Sequence, residues 1–377
     1  MIQAALQIAP NVRALHQDDP ADWLRLIRSR RIGPATFHRL LAEHGSAGAA
    51  LAALPDIALA AGIENYEPCP IGVVLAEMAK ARAAGAVLLR WGEVVYPAAL
   101  QGIGDAPPVL WAQGDASLLS RPMVALVGAR NASSLGLRMA RRLSEGLGAA
   151  GLVVVSGLAR GVDAEAHQAA LATGTVAVQA GGVDHVYPAE NARLAAEIAA
   201  QGCRISEQPM GMEPQTRHFP MRNRIISGLS RAVVVVEAAA KSGSLITAEA
   251  ALEQGREVLA VPGHPFDARA AGCNRLIRDG AVLVRGTQDV LDALQIGALR
   301  RKVEVAAAAV VPDRRSLRTV TALHNQILAR LGPSPLAEDQ LIRDLDIPAA
   351  MVTPELVALE LDGRILRQSG GLLSRLS

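Results

Sequence analysis

Residues 152–163 carry the sequence LVVVSGLARGVD, and this stretch decides the fold. It begins with an apolar, Val-rich run, passes through a loop that contains Gly157 and Gly161, and leads into a helical pattern. A short, continuous apolar run is typical of a strand buried on both faces, as in a parallel sheet. The stretch therefore predicts a strand–loop–helix unit of an α/β protein, with Asp163 as a candidate cap for the helix.

The same pattern repeats between about residues 86 and 295. Apolar runs predict strands at residues 123–127, 152–155, 176–179, 232–236, 258–261 and 282–284, and helical patterns lie between them at residues 135–147, 164–171, 192–200 and 246–253. This alternation predicts an extended Rossmann-like, doubly wound, mostly parallel sheet. Right-handed crossovers then bring the loops that follow the strands to one edge of the sheet.

Four of these loops combine small residues with charge. They are VGAR at 127–130, SGLARGVD at 156–163, AGGVDHVYP at 180–188 and KSGSLITA at 241–248. Small residues let a ligand approach the backbone, and free N–H groups at helix N-termini attract anions, so the loops predict an anion site with phosphate as the expected ligand. The alternative is that these glycines only form tight turns. The candidate binding residues in the loops are Gly128, Arg130, Ser156, Gly157, Arg160, Gly161, Lys241, Ser242, Gly243 and Ser244.

A basic segment, RHFPMRNRIISGLSR at residues 217–231, adds four arginines around one of only three phenylalanines in the chain. Arginine guanidinium groups pair with phosphates, and an aromatic ring can stack on a base. The segment therefore predicts further binding residues, although a solvated helix end, or arginines paired with carboxylates, would explain the same composition. The candidates are Arg217, Phe219, Arg222, Asn223 and Arg224.

Composition limits the other classes of function. The formal net charge is only +2, so attraction of nucleic acid has to come from a local basic patch. The three cysteines are far apart and form no CxxC pair, which indicates buried thiols and no metal centre. The N-terminus lacks a signal-peptide pattern, and no stretch is a good membrane span, so a cytoplasmic protein without membrane insertion is expected.

Two stretches resemble nucleotide-binding motifs, but the residues around them do not match what those motifs require. The glycines of residues 146–151 match G-x-G-x-x-G, but they end a predicted helix and do not follow a strand, as the dinucleotide motif requires. Lys241 and Ser242 lack the upstream glycine spacing of a Walker A loop. The sequence therefore predicts neither a nicotinamide cofactor nor P-loop ATP hydrolysis, and no cofactor is expected.

The pattern changes at both ends of the α/β region. Residues 1–80 carry helical signals, and Ile32-Gly33-Pro34 joins two helices in the manner of a SAM-like or helix-hairpin-helix domain. Residues 81–296 form the predicted Rossmann-like domain, residues 297–315 a linker, and residues 316–377 a winged-helix-like domain. The helix expected at residues 353–361 carries Glu355 and Glu360 and no Lys or Arg. Phosphates would repel this helix, so a partner-binding or structural role is expected for this domain.

Taken together, these motifs resemble the DNA-processing protein A family, also called DprA or Smf. The residues that carry the resemblance are VGAR, SGLARGVD, AGGVDHVYP, FPMRNRIISGLS, VVVVEA, KSGSLITA, AVPG and GCNRLIRDGA, within residues 123–281. Small residues depart from the family pattern at three positions: Ala129 stands where the family often has Ser, Ala180 where Gly is usual, and Ser227 where Ala is common. The lost hydroxyl at Ala129 could remove one phosphate contact.

The resemblance implies a specific function, which the residue pattern alone does not indicate. A member of this family is expected to bind single-stranded DNA in a positively charged pocket, to form homodimers through the Rossmann-like domain, and to protect and load incoming DNA onto the RecA recombinase during natural transformation. No catalysis is expected. Carried onto this chain, the pocket would use Arg130, residues 156–161, the 217–224 segment with Phe219, and residues 241–244.

Two alternatives stay open at this point. The chain could be a nucleotide-processing hydrolase of the lysine-decarboxylase-like type, with Glu249 or Glu237 as the acid or base. The usual PGG-x-G-T signature of those enzymes is missing. The chain could also be a nucleotide sensor whose winged helix binds duplex DNA as a repressor, although the acidic helix argues against this.

Overall fold

A computed structural model describes residues 18–296, 317–332, 335–368 and 371–376. The N-terminal residues 1–17 and the linker predicted at 297–315 lie outside the described residues. The chain divides into two compact units, Met1–Ala298 and Leu299–Ser377. The predicted limits of the helical and Rossmann-like domains both fall within the first unit and remain predictions.

The first unit is built on one sheet, to which nine of the described strands belong. They are β1 (Ala86–Arg90), β2 (Val109–Gly114), β3 (Met123–Val127), β4 (Val153–Ser156), β5 (Thr175–Val178), β6 (Cys203–Ser206), β7 (Ala232–Val235), β8 (Glu257–Ala260) and β9 (Val282–Leu283). Their spatial order is β1-β2-β6-β5-β4-β3-β7-β8-β9. The pairs β1–β2 and β2–β6 are antiparallel and all other pairs are parallel.

The helices of this unit come before the sheet and between its strands. They are α1 (Pro20–Arg28), α2 (Pro34–His44), α3 (Ala47–Ala60), α4 (Ile71–Ala83), α5 (Ala98–Gln101), α6 (Ser134–Ala149), α7 (Val162–Ala170), α8 (Ala192–Gln201), α9 (His218–Leu229), α10 (Ser244–Glu253), α11 (Ala271–Arg278) and α12 (Thr287–Ala293). The expected mostly parallel, doubly wound sheet is confirmed.

The central strands are buried on both faces, as their unbroken apolar sequences predict. In β3, Val124 and Leu126 pack in a cluster with the apolar side of α6, whereas Ala125 and Val127 pack in a second cluster with α9 and α10. Successive side chains of a strand point to opposite faces, so each face receives its own apolar layer. The core therefore lies in two layers that enclose the sheet.

Three strands were not predicted: β1, β2 and β6. β6 shows the reason most clearly, because its sequence, CRIS, contains one strongly apolar residue and an arginine. Arg204 is nevertheless buried, since its Nε donates to Gln179 Oε1 at 2.8 Å and its Nη2 donates to the carbonyl of Val183. Internal hydrogen bonds thus allow a polar residue in a buried strand, which a search for apolar runs does not detect.

The N-terminal helices form a small core of their own and also contact the sheet. The rings of Trp23 in α1 and Phe37 in α2 have centroids 5.1 Å apart. Gly33 precedes α2 in an extended conformation, and Pro34 begins the helix, as the sequence predicts. The same apolar cluster includes Val109 and Trp111 of β2, so the helices are packed onto the antiparallel end of the sheet.

The second unit has a winged-helix arrangement. It contains α13 (Leu317–Arg330), β10 (Leu336–Ala337), α14 (Glu338–Leu345), α15 (Ala349–Leu361), β11 (Ile365–Gln368) and β12 (Leu372–Arg375). The strand order is β10-β12-β11, and β10 was not predicted. Glu355 of α15 lies 2.7 Å from His324, and Glu360 pairs with Arg367 at 3.2 Å. Arg367 also pairs with Glu338, so this strand arginine is occupied by carboxylates of its own unit.

Two further expectations concern the chain as a whole. Cys69, Cys203 and Cys273 are free and buried, as predicted. In the part of the chain that the structure describes, no helix is both long and apolar enough to span a bilayer.

Glu77→Ala is expected to destabilise the first unit strongly. The carboxylate of Glu77 accepts a hydrogen bond from Trp111 Nε1 at 2.7 Å and forms an ion pair with Arg28 at 2.9 Å. Both charged side chains are at least 88% buried, with exposed fractions of 12% for Arg28 and 6% for Glu77. Removing one partner leaves a buried charge and a buried indole N–H without partners, so a loss of about 3–5 kcal/mol is expected in urea unfolding.

The matched control is Glu43→Ala. Glu43 also pairs with an arginine of the same helical region, Arg39, at 3.3 Å, but both side chains are about half exposed. Exposed ion pairs contribute little, so a change within about 0.5 kcal/mol is expected. Equal losses in the two variants would contradict a structural role for the buried pair.

Candidate functional site

A wide polar cleft of the first unit lies at the point where the strand order reverses. From β3 the chain moves outward through β4 and β5, and from the neighbouring β7 it moves outward in the other direction through β8 and β9. Ligands of open α/β sheets bind outside the carboxyl ends of the strands at such a point. The cleft has a volume of about 770 Å³, and its lining includes Gly128, Arg130, Asn131, Asp163, Tyr187, Thr216, Phe219, Arg222, Asn223, Lys241, Ser242, Gly243, Ser244, Thr247 and Arg269.

Glycines allow the first two loops to touch each other behind the cleft. Gly161 has a φ of +73°, and a Cβ atom there would lie 2.3 Å from the carbonyl oxygen of Ala129. At Gly128 a Cβ atom would lie 2.7 Å from Val162. The backbone of Val162 donates to the Ala129 carbonyl at 3.2 Å, so the loops are joined directly. Gly161 therefore serves the contact between loops, and it does not itself line the cleft.

Asp163 supports the second loop from inside α7. Its carboxylate accepts hydrogen bonds from the backbone N–H groups of Gly157 at 3.1 Å and Ala159 at 3.4 Å. Burial raises the pKa of Asp163 above its usual range, although Arg222 and these two hydrogen bonds oppose the shift. The prediction that Asp163 caps the helix is wrong, because Gly161 occupies the cap position and Asp163 holds the loop before it.

Arg222 is a buried structural residue of the cleft wall, and its guanidinium is directed towards backbone carbonyl groups and away from a ligand. Its guanidinium donates to the carbonyl oxygens of Gly157, at 2.6 Å, and Val178. Burial lowers the pKa of Arg222 to about 10, against the opposing effect of Asp163. A side chain at Gly157 would collide with this guanidinium. Ser156 is also fully buried and donates to the carbonyl of Leu126 at 2.6 Å, so the structure places Ser156, Gly157 and Arg222 in the wall.

Three other predicted arginines do not line the cleft. Arg224 pairs with Glu207 and, at 3.2 Å, with Asp105. Arg160 pairs with Glu190 at 3.3 Å. Arg217 is exposed outside the lining, with its Nε 3.4 Å from a ring nitrogen of His218. Arg224 and Arg160 therefore match the alternative interpretation given above for the basic residues, in which arginines pair with nearby carboxylates.

The remaining basic groups and an aromatic pair do meet in the cleft. The guanidinium carbon of Arg130 lies 5.3 Å from the ring centroid of Phe219, and the ring of Tyr187 lies 5.6 Å from Phe219 on a tilted plane. Lys241 and Arg269 line the same cleft, although Arg269 pairs with Asp267 at 3.1 Å. Among the described residues, neither Arg130 nor Lys241 has a carboxylate partner.

The fourth loop adds hydrogen-bond donors. The hydroxyl groups of Ser242 and Ser244 are 2.8 Å apart, and Gly243 precedes the first turn of α10. Asn223 reaches this loop from α9, where its amide donates to the Gly243 carbonyl at 3.4 Å. The N-terminus of a helix favours anions. Together with Arg130 and Lys241, this geometry makes the cleft suitable for phosphate groups.

Sequence reasoning missed Tyr187 and Arg269. Tyr187 belongs to the AGGVDHVYP loop, so its motif was recognised although its ring was not assigned to the site. Nothing in the sequence links Arg269 to the cleft, because it follows β8 in a segment without a glycine-rich pattern.

The carboxylates of the hydrolase alternative are not placed for catalysis in this cleft. Glu249 is exposed on α10 and does not belong to the lining. Glu237 is buried and accepts hydrogen bonds from the backbone N–H and the hydroxyl of Ser133, at 3.0 and 2.6 Å. Ser133 in turn caps α6, because its hydroxyl accepts a hydrogen bond from the backbone N–H of Gly136 at 3.0 Å. Glu237 therefore fixes the loop that follows β3.

The fold and the cleft define a Rossmann-like protein with a basic, polar cleft at the switch point of its sheet. The chain belongs to the DNA recombination-mediator protein A family, whose model matches residues 87–295. The DprA-like N-terminal HHH domain matches residues 17–80, and the DprA winged helix domain matches residues 311–371. The family resemblance seen in the sequence is thus confirmed, as are the helical and winged-helix regions.

Relatives from several bacteria support this assignment. Protein Smf of Escherichia coli K12 is 39% identical over 73% of this chain and 74% of its own length. DNA processing protein DprA of Bacillus subtilis is 48% identical over 53% of this chain and 68% of its own length.

Two solved structures are similar. That of DNA processing protein A from Streptococcus pneumoniae has a TM-score of 0.63 at 36% identity and covers 73% of this chain and 98% of that chain. A structure from Helicobacter pylori concerns the single-stranded DNA binding mode of its DNA processing protein A. It has a TM-score of 0.52 at 29% identity and covers 56% of this chain and 96% of that chain.

His167→Gln is expected to weaken the pH dependence of stability. His167 is buried in α7, with Nδ1 2.7 Å from the hydroxyl of Thr175. Burial, assisted by the positive charge of Arg222, lowers the pKa of His167 from 6.5 to about 3. Between these values the unfolded chain binds a proton that the folded chain does not, so stability falls as the pH drops through this window. One such proton contributes a slope of up to about 1.4 kcal/mol per pH unit.

The measurement is urea unfolding of both proteins at several pH values from about 7.5 to about 4.5. The variant should show a shallower slope, whatever its stability at neutral pH. The dependence of unfolding free energy on urea concentration should match between the two proteins, since they expose the same surface. Parallel pH profiles would show that His167 does not cause the effect.

Proposed function

We propose that the switch-point cleft binds single-stranded DNA. The observation that carries the proposal is the combination of two basic side chains without carboxylate partners, Arg130 and Lys241, with the Tyr187–Phe219 ring pair and the N-terminus of α10. Charged groups contact the phosphates of a strand, and aromatic rings stack on its unpaired bases. The relative from Helicobacter pylori, described for its single-stranded DNA binding mode, supports the same reading.

Several features favour a strand over a duplex. The net charge of +2 gives the protein no general attraction for a highly charged duplex. Both rings line the cleft, where an extended strand with unstacked bases can reach them. Contacts to phosphates and to ring faces do not distinguish the bases, so binding is independent of sequence.

Arg130→Gln and Lys241→Gln are expected to weaken binding of a short oligothymidylate about tenfold or more each, because each removes a charge-assisted hydrogen bond to a phosphate. The plot of log affinity against log salt concentration should lose about 0.7 of its slope for each contact removed. Fluorescence anisotropy over a range of salt concentrations measures both quantities.

Arg231→Gln is the matched control. Arg231 is exposed, but it directly precedes β7. It therefore lies at the amino ends of the parallel strands, on the side of the sheet away from the cleft. Its replacement should leave affinity and salt slope unchanged. If neither cleft variant differed from Arg231→Gln, the cleft would not be the binding site.

We further propose that the protein protects the bound strand and loads it onto the RecA recombinase during natural transformation in the cytoplasm. Membership of the recombination-mediator family supports this role. No catalysis is required, because the steps are binding and transfer of a strand. With single strands precoated by a single-strand-binding protein, the wild-type protein should shorten the lag of RecA filament growth, and Lys241→Gln should not.

The protein is also proposed to form a homodimer through its Rossmann-like domain. β9 is the last strand of the sheet, and its two residues, Val282 and Leu283, are 39% and 41% exposed. An exposed apolar edge strand is a natural site for pairing between chains. The edge beyond β9 is therefore the proposed dimer surface.

Replacing both Val282 and Leu283 with Lys is expected to convert the dimer into a monomer, because charged side chains on an edge strand oppose pairing. Light scattering after size-exclusion chromatography measures the mass. Val87→Lys is the control, since Val87 is 51% exposed on β1 at the other end of the sheet. If the dimer persists after the β9 changes and dissociates with Val87→Lys, the interface lies at β1, and the proposed β9 interface is wrong.

A further inference from the structure

A second pocket lies beside the switch-point cleft, also at the carboxyl ends of the parallel strands. It has a volume of about 610 Å³ and is bounded by the first turns of α6 and by the residues that follow β7 and β8. α6 packs on the opposite face of the sheet from α9 and α10, which border the DNA cleft. The volume is within the range that small-molecule sites usually have. No step of the proposed DNA binding uses this pocket.

The interior of the second pocket is apolar apart from the carboxylate of Glu237, and the other carboxylate of the lining, Asp267, pairs with Arg269 at 3.1 Å. Met139, Val236, Val261 and Cys273 line it together with Glu237. Glu237 is 8% exposed, and its two oxygens accept hydrogen bonds from Ser133. A carboxylate can accept about four hydrogen bonds, so further capacity remains on the pocket side. The interior thus suits a flat apolar group that also carries N–H donors.

The rim of the second pocket is basic. Arg138 and Arg142 lie one turn apart on α6 and both line the pocket. Both are exposed, and no described carboxylate pairs with either of them. Their neighbour Arg141 differs, because it pairs with Glu165 at 2.5 Å and does not line the pocket. Two adjacent free guanidinium groups at the mouth of an apolar pocket favour an anion such as a phosphate.

We propose that this second pocket binds a purine nucleotide. Its phosphates contact Arg138 and Arg142, and its base lies in the apolar interior with an N–H group donating to Glu237. A fatty acid would also match an apolar pocket with a basic rim, but its chain would place hydrocarbon against the Glu237 carboxylate, which costs free energy. The base of a nucleotide covers the apolar walls and satisfies the carboxylate at the same time.

The test is calorimetric titration of the full chain with ADP, with GDP and with inorganic pyrophosphate. At least one nucleotide should bind, with pyrophosphate at least tenfold weaker because it lacks the base. A nucleotide at about ten times its dissociation constant should also raise the melting temperature by about 2–5 °C. The double variant Arg138→Gln, Arg142→Gln should bind the nucleotide at least tenfold more weakly, whereas Arg141→Gln should bind it normally.

Two further measurements separate this pocket from the DNA cleft. Lys241→Gln should retain nucleotide binding, and the Arg138→Gln, Arg142→Gln variant should retain its affinity for oligothymidylate. The proposal is overturned if no nucleotide binds, if pyrophosphate binds as well as the nucleotides, or if binding is lost with Lys241→Gln and kept in the α6 variant. Because the two ligands are measured separately, failure of one site leaves the other assignment intact.

Discussion

The cleft depends on the hydrogen bonds that the buried guanidinium of Arg222 makes to the backbone. This guanidinium comes from α9 and donates to carbonyl oxygens at the ends of β4 and β5, through Gly157 and Val178. The opposite charge of Asp163 lies close enough to raise the pKa of Arg222 against the effect of burial. Asp163 in turn binds the backbone of the 157–159 loop. These two buried, oppositely charged side chains and their hydrogen bonds to the backbone therefore fix the position of α9 and of the loop below it.

This arrangement explains why adjacent polar residues of one helix have different roles. Arg222 is directed into the wall, Asn223 reaches the loop before α10, and Arg224 pairs with acidic residues away from the cleft. Phe219, one turn before Asn223, lines the cleft beside Arg130. The helix turns successive side chains by about 100°, so a basic segment cannot present all its charges to one ligand.

The sequence predicted the architecture better than the assignment of individual side chains. Valine-rich strands and glycine-rich loops are local signals, so β3, β4 and β7 and the loops after them could be identified directly. β6 could not, because the partners that allow Arg204 to be buried, Gln179 and Val183, are distant in sequence. The same limit applies to Arg224, whose partner Glu207 carries no motif. Long-range pairing decides which arginines are free for a ligand, and no local pattern encodes it.

The cluster of Arg130, Phe219 and Tyr187 has a consequence for the thermodynamics of the proposed binding. The Phe219 ring is already held on two sides in the free protein. Little rotational freedom remains for it to lose when a base arrives, so the entropic cost of ordering a contact surface is largely met during folding. If the cleft binds single-stranded DNA as proposed, such a rigid aromatic surface would accept any of the four bases without adjustment. Binding that does not depend on base sequence would then follow from the rigidity of the site and would need no flexible loop.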